Sequence, residues 1–161
     1  VKVIVDNLGM IVGPWVCSQL GMQYCPTEMT TVGLWDTEKE LVLAGLVYEK
    51  YNGVCVTMHQ AISDPRVITK DFLWYVFYYP FAQLGCDRLT GIVSGDNTAA
   101  IKLNEKLGFE VEARLVRACP AGDLLIMRMF RENCRFLIRG KRDGRRKGGF
   151  PRCTELCGSS N

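Results

Sequence analysis

The stretch Ser94-Gly-Asp-Asn-Thr-Ala-Ala-Ile-Lys-Leu-Asn-Glu-Lys-Leu-Gly-Phe109 decides the reading of the fold. Asp96 and Asn97 both suit a helix N-cap, because a short side-chain oxygen can accept from the free amides of the first turn. Ala100, Ile101, Leu103 and Leu107 recur at helical spacing and form one apolar face. Lys106 falls in the last turn, where the helix dipole favours a cation. Gly108 suits the left-handed position that ends a helix. Phe109 then opens the alternating run Phe109-Glu-Val-Glu-Ala-Arg-Leu-Val-Arg117, which reads as a strand. With Arg88 to Ser94 as the strand before it, the unit is strand, short loop, capped helix, glycine stop, strand.

Upstream, Val1 to Val5 reads as a strand and residues 10–20 as an apolar helix, with Gly13 and Pro14 as its weak points. Thr30 to Trp35 and Leu41 to Tyr51 read as further strands. Asn52-Gly53 between apolar runs signals a hairpin into Gly53 to Ile62, which gives a three-stranded antiparallel meander. Ser63-Asp-Pro65 breaks the pattern. Residues 69–84 are dense in aromatics, and length together with the stop at Gly85 favours a helix kinked by Pro80. The run has no basic residue after Lys70, so it reads as a buried core helix rather than a stacking platform for nucleic acid. Leu124 to Phe130 returns along 109–117 through the turn Cys119-Pro-Ala-Gly-Asp123. The pattern as a whole is α/β (α+β).

Asn97, Ala99-Ala100 and Lys106-Leu-Gly-Phe109 together resemble the C-terminal half of the GNAT family of acetyl-CoA-dependent N-acyltransferases. Phe81-Ala-Gln-Leu-Gly85 and Glu112-Ala-Arg114 are similar to its ribosomal-protein-acetyltransferase branch. The match covers residues 72–130, is weaker over 30–71 and is absent beyond 135. The resemblance implies a central mixed, twisted sheet of about six or seven strands flanked by helices. It also implies acetyl-CoA as cofactor and an amine, on a protein or a small molecule, as acceptor.

Amine acylation by a thioester needs a held cofactor, a base for the ammonium and an acid for the thiolate. The family's pyrophosphate loop aligns with Arg66-Val-Ile-Thr69-Lys70-Asp71. Arg66, Thr69 and Lys70 would therefore sit by the cofactor, with Thr69 and Asp71 standing where the family has small residues. Asn97 matches the family's ligand for the pantetheine arm and reads equally well as a plain helix cap. His59, the single histidine, lies on the fourth strand and suits base work, with Glu49 on the preceding strand as a second candidate. A half-buried, hydrogen-bonded His59 is the plainer reading. Asn104 stands near the slot of the family's thiolate acid, a tyrosine; an amide there can hydrogen-bond a thiolate but not protonate it.

Charge is uneven. The 161 residues carry a net +3, but residues 1–132 hold 12 basic and 15 acidic side chains whereas 133–161 hold 8 and 2. The chain thus divides into a mildly acidic GNAT-like domain, 1–132, and a basic extension, 133–161. Arg139, Lys141, Arg142, Arg145, Arg146 and Lys147 in the extension suit an acidic protein face or nucleic acid. The eight cysteines are mostly single residues in apolar segments, and with one histidine and no Cys-x-x-Cys no metal site is expected. Reduced thiols point to the cytoplasm. No apolar run approaches the roughly 20 residues of a membrane span. No signal-peptide pattern is visible, so no secretion is expected.

Two functions follow. One is an N-acyltransferase using acetyl-CoA. The other is a GNAT-like domain that has lost catalysis and serves assembly, holding a partner through its basic extension. Short-tailed bacteriophages encode small proteins of similar size and style near their virion genes, which would place the protein in host cytoplasm or virion.

Overall fold

A computed structural model describes residues 1–137; the extension's Arg139, Lys141, Arg142, Arg145, Arg146 and Lys147 lie outside the described residues. One seven-stranded mixed sheet runs in the order β1-β2-β3-β4-β5-β7-β6. Its strands are β1 (Lys2–Val5), β2 (Thr30–Asp36), β3 (Leu41–Glu49), β4 (Cys55–Ile62), β5 (Arg88–Ser94), β6 (Glu110–Cys119) and β7 (Gly122–Phe130). Three α-helices accompany them: α1 (Gly9–Leu20), α2 (Lys70–Tyr78) and α3 (Thr98–Leu107). The expected elements are present, and β1 to β4 form an antiparallel meander. β4 and β5 pair in parallel.

Alternation along β3 sorts the two faces. Leu46 and Tyr48 enter the main core with residues of α2, whereas Val47 joins Val12, Val16 and Cys17 of α1. Helix α1 therefore covers one face, and α2 and α3 cover the other. Gly33 and Gly45 are direct partners across β2 and β3. A Cβ at Gly33 would lie 2.6 Å from Val12, and one at Gly45 2.6 Å from Val16. The paired glycines form the flat seat on which α1 rests. That packing carries the helix through Pro14, which is exposed, as is Met10, whose carbonyl loses its donor to the proline.

Pro80 has a different outcome. Helix α2 ends at Tyr78 and widens into one π-type turn, Tyr79–Gln83, in place of a kinked helix to residue 84. Proline has no N–H, so the Val76 carbonyl four residues earlier lacks its helical donor. The buried Tyr48 hydroxyl supplies one at 2.7 Å. The β3–β4 hairpin also departs from a two-residue turn. The connection spans residues 50–54, Asn52 Oδ1 accepts from the amides of Val54 and Cys55, and Lys50 and Gly53 take left-handed conformations.

The packed body reaches Leu137. Cys134 is buried, Phe136 stacks on Phe77 of α2 at 4.9 Å, and Arg135 donates to the Lys106 carbonyl at the end of α3. The six cysteines among the described residues are free thiols. Burial pushes Cys86 up to about 11, and it also raises Cys17 and Cys134. No helix among the described residues is long and apolar enough to cross a membrane.

Candidate active site

The ladder between β4 and β5 stops at Met58 and Gly91, although β4 runs on to Ile62 and β5 to Ser94. Beyond that pair the two strands diverge, and their facing edges are left without strand partners. A cavity of about 540 Å³ fills the gap. It is lined from both faces of the sheet: Gln19, Leu20 and Met22 at the end of α1, and Asn97, Ala100 and Asn104 of the α3 segment.

Consecutive residues of β4 serve opposite faces. His59 pairs with Val47 and so lies on the α1 face. Its Nε2 is 2.8 Å from Glu49 Oε1, and both side chains are about a tenth exposed. With Glu49 ionised and the ring neutral, this bond would place the ring hydrogen on Nε2 and leave a lone pair on Nδ1. Lys50 Nζ stands 3.7 Å from the same Glu49 oxygen. Gln60 pairs with Leu46 and lies on the α3 face, where its amide donates to Asn104 Oδ1. Asn104 Nδ2 in turn reaches Met127 Sδ at 3.7 Å. Asn104 is buried, and both ends of its amide tie α3 to the sheet.

Asn97 is the N-cap of α3; its Oδ1 accepts from the Ala100 amide at 3.1 Å. Asp96, the other expected cap, instead accepts from Ser94 Oγ at 2.6 Å on the cavity rim. The structure thus brings His59, Asn97 and Asn104 to one cavity with Glu49 behind His59.

Arg66, Thr69 and Lys70 do not line it. Arg66 and Thr69 sit in the segment leading into α2, and Lys70 is the first residue of that helix. Arg66 is exposed and bonded through its guanidinium to Asp64, whose Oδ1 also takes the Arg66 amide at 2.9 Å. Hydrogen bonds from Arg66 hold the Asp64 carboxyl below its ordinary range. Thr69 Oγ1 caps α2 by accepting from the Phe72 amide at 3.1 Å. Asp71 occupies the first turn. Two amides of this segment are therefore satisfied by its own side chains.

Sequence reasoning missed Gln60, Ser94 and Cys119 as cavity residues. Gln60 could have been found by alternation from His59, since adjacent strand residues face opposite sides. Cys119 comes to the cavity with the β6–β7 turn; its Pro and Gly announce the turn but not the cavity it reaches.

This topology, with a gap between two parallel strands at mid-sheet, decides the comparison with known proteins. The fold is that of the GNAT acyltransferases. Spermidine N-acetyltransferase from Vibrio cholerae, in complex with CoA and spermine, superposes with a TM-score of 0.64 at 12% identity, over 85% of this chain and 98% of that one. A spermidine N-acetyltransferase chimera from Vibrio cholerae and hSSAT gives 0.58 at 16% identity, over 70% and 72%. A GNAT-family acetyltransferase from Bacillus anthracis gives 0.52 at 14% identity, over 63% and 66%. The sequence matches no family model and no curated protein sequence.

Proposed function

We propose that this chain is an N-acyltransferase that moves an acetyl group from acetyl-CoA to an amine. The observation that carries the reading is the cavity between β4 and β5, lined from both faces of the sheet, with a histidine–glutamate pair on one face and a helix N-terminus on the other. Two substrates can meet there from opposite sides.

The residues fit the arm of the cofactor better than its phosphates. Among the described residues the lining on the α3 face carries no lysine or arginine, and the unpaired strand edges offer amides and carbonyls to an amide-bearing chain. Asn97 stands at the start of α3 to meet it. At the phosphate end Arg66 and Lys70 supply positive charge, with Asp64 and Asp71 beside them. Acetyl-CoA supplies the activated acyl thioester. In the proposed step His59 Nδ1 would take the proton that the attacking amine must lose as the C–N bond forms and the C–S bond breaks. The thiolate would leave and take its proton from water, and Glu49 would hold the ring in the tautomer that can accept. Asn104 does not serve as a proton donor; with Gln60 it fixes the distance between α3 and β4.

A second reading keeps the fold and drops the chemistry. It is favoured by the α2 N-terminus, where Thr69 and Asp64 already occupy amides and Asp71 brings negative charge. In that reading the domain is an assembly element, of the kind encoded by bacteriophages, which holds an acidic protein or nucleic acid through its basic extension.

Steady-state assays of free thiol released from acetyl-CoA, with primary alkylamines as acceptors, separate the two. Amine-dependent thiol release that is lost in His59→Gln supports the enzyme. Release that is absent from the full-length protein, or unchanged in His59→Gln, removes the proposed base chemistry.

A further inference from the structure

The α1 face of the cavity is built by the end of α1 and by the connection 21–29, which has no regular structure of its own beyond a turn. Met22 from this connection and Leu20 from α1 are apolar side chains in the lining that also holds His59. Something must hold them, and the molecule shows what does. Gly9 and Gly13 lie one turn apart on α1, hence on one side of the helix. A Cβ at Gly13 would stand 2.2 Å from the Tyr24 ring, and one at Gly9 would stand 3.1 Å from the Tyr24 hydroxyl oxygen. The two glycines form a notch, and the ring of Tyr24 fills it. Burial raises the pKa of the Tyr24 hydroxyl.

The connection is thereby fixed at two points on either side of Met22. At one, Gly21 takes a left-handed conformation (φ 65°), and the Met22 amide bonds the Cys17 carbonyl at 2.9 Å. At the other, Tyr24 is pinned to α1. Glycine is a poor helix former, and Gly13 lies in the interior of α1. The place of Gly9 and Gly13 opposite the Tyr24 ring gives them a purpose that helix formation does not.

We propose that Tyr24, seated in the Gly9–Gly13 notch, is a positioning and specificity-determining residue for the acceptor. It sets the location of Met22 beside Leu20, and so the width of the apolar wall that an amine's alkyl portion must pass to reach His59. The acceptor class it selects is a primary amine with an apolar substituent next to the nitrogen. This rests on the acyltransferase reading above.

The test uses the full chain, acetyl-CoA, and a graded set of primary amines from ethylamine to hexylamine as probes. Wild type should discriminate along the series, with each added methylene changing kcat/KM by up to about tenfold. Tyr24→Ala removes the pin and should flatten that series through the amine KM, while acetyl-CoA affinity stays within about twofold, because the cofactor side of the gap is untouched. Tyr24→Phe keeps the ring and should keep the series. Gly13→Ala evicts the ring and should act like Tyr24→Ala. In the double variant the alanine at position 13 has no ring to displace, so it should add nothing to Tyr24→Ala; independent structural damage would add. A series unchanged in folded Tyr24→Ala, or additive effects in the double variant, overturns the inference and leaves the acyltransferase intact. A wild type that neither binds acetyl-CoA nor acetylates any amine overturns the acyltransferase reading, and the inference with it.

Discussion

The two sides of the gap between β4 and β5 carry side-chain pairs of opposite kind. On the α1 side, His59 and Glu49 form an ionisable pair shielded from water. On the α3 side, Gln60 and Asn104 form a neutral amide pair that cannot exchange a proton. The residues that start these pairs are neighbours in sequence, and strand alternation alone sends them to opposite faces. The difference teaches how one strand can supply chemistry to one face and rigidity to the other. In the proposed reaction a proton acceptor stands where the amine would enter, and a fixed, uncharged bridge where a neutral arm would lie.

Breaking the first pair should have the largest effect. His59→Gln keeps a donor for Glu49 but removes the proposed base. Turnover should fall about 10²–10⁴-fold, with the far-ultraviolet circular dichroism of the wild type; a loss of under about threefold would assign the proton elsewhere. Breaking the second pair should show mainly in stability. Asn104→Ala leaves the Gln60 amide and Met127 without their partner and should cost about 1–3 kcal/mol in urea denaturation, with the pH–rate profile keeping its shape. A displaced profile would mean that the amide bridge takes part in proton transfer.

Away from the gap, Tyr48→Phe supplies a reference for a purely structural contact. It deprives the Val76 carbonyl of its donor above Pro80 and should cost about 1–2 kcal/mol, read as a lowered urea midpoint, with acetyl-CoA binding unaffected. An equal loss of binding would show that the π turn is coupled to the gap.

The smallest effect concerns acid. The Arg88 guanidinium, bonded to Glu112, holds that carboxyl below its ordinary range; the Arg117 amide and then Arg114 do the same for Asp123. A lowered folded pKa gives stability that is whole above the unfolded value, near ~4, and lost as pH falls through the folded one. The thermal midpoint should therefore fall as the medium is acidified below about pH 4. The fall should be shallower in Glu112→Gln. A slope identical in the two proteins would mean that the ion pair adds nothing.

How much of this was legible in the sequence depended on whether the cause was local. The cap at Asn97 and the stop at Gly108, left-handed with φ 106°, were readable because each is decided by its own residue and its immediate neighbours. The end of α2 was not. Pro80 announced a disturbance, but the form of the disturbance was set by Tyr48, 28 residues before Val76. The seat of α1 was equally hidden, because Gly33 and Gly45 meet only once the strands have paired. At the site, His59 and Glu49 could be singled out by residue type and strand and Asn97 by its capping place, whereas Asn104 was singled out only through the GNAT resemblance. Their pairing could not be read, since it depends on the hairpin register and on the approach of α3. The turn before α2 was read for its departures at Thr69 and Asp71, and there the structure adds Asp64 as the residue that takes Arg66.

The central claim is that the gap in the sheet receives an acyl-CoA. Calorimetric titration of the full-length protein with acetyl-CoA tests it most directly. The account predicts one site per chain with micromolar affinity, weakened in Asn97→Ala by more than the capping loss of about 1 kcal/mol. An absence of heat at millimolar cofactor would contradict it, and would leave the fold as a scaffold whose α2 N-terminus is closed by its own side chains.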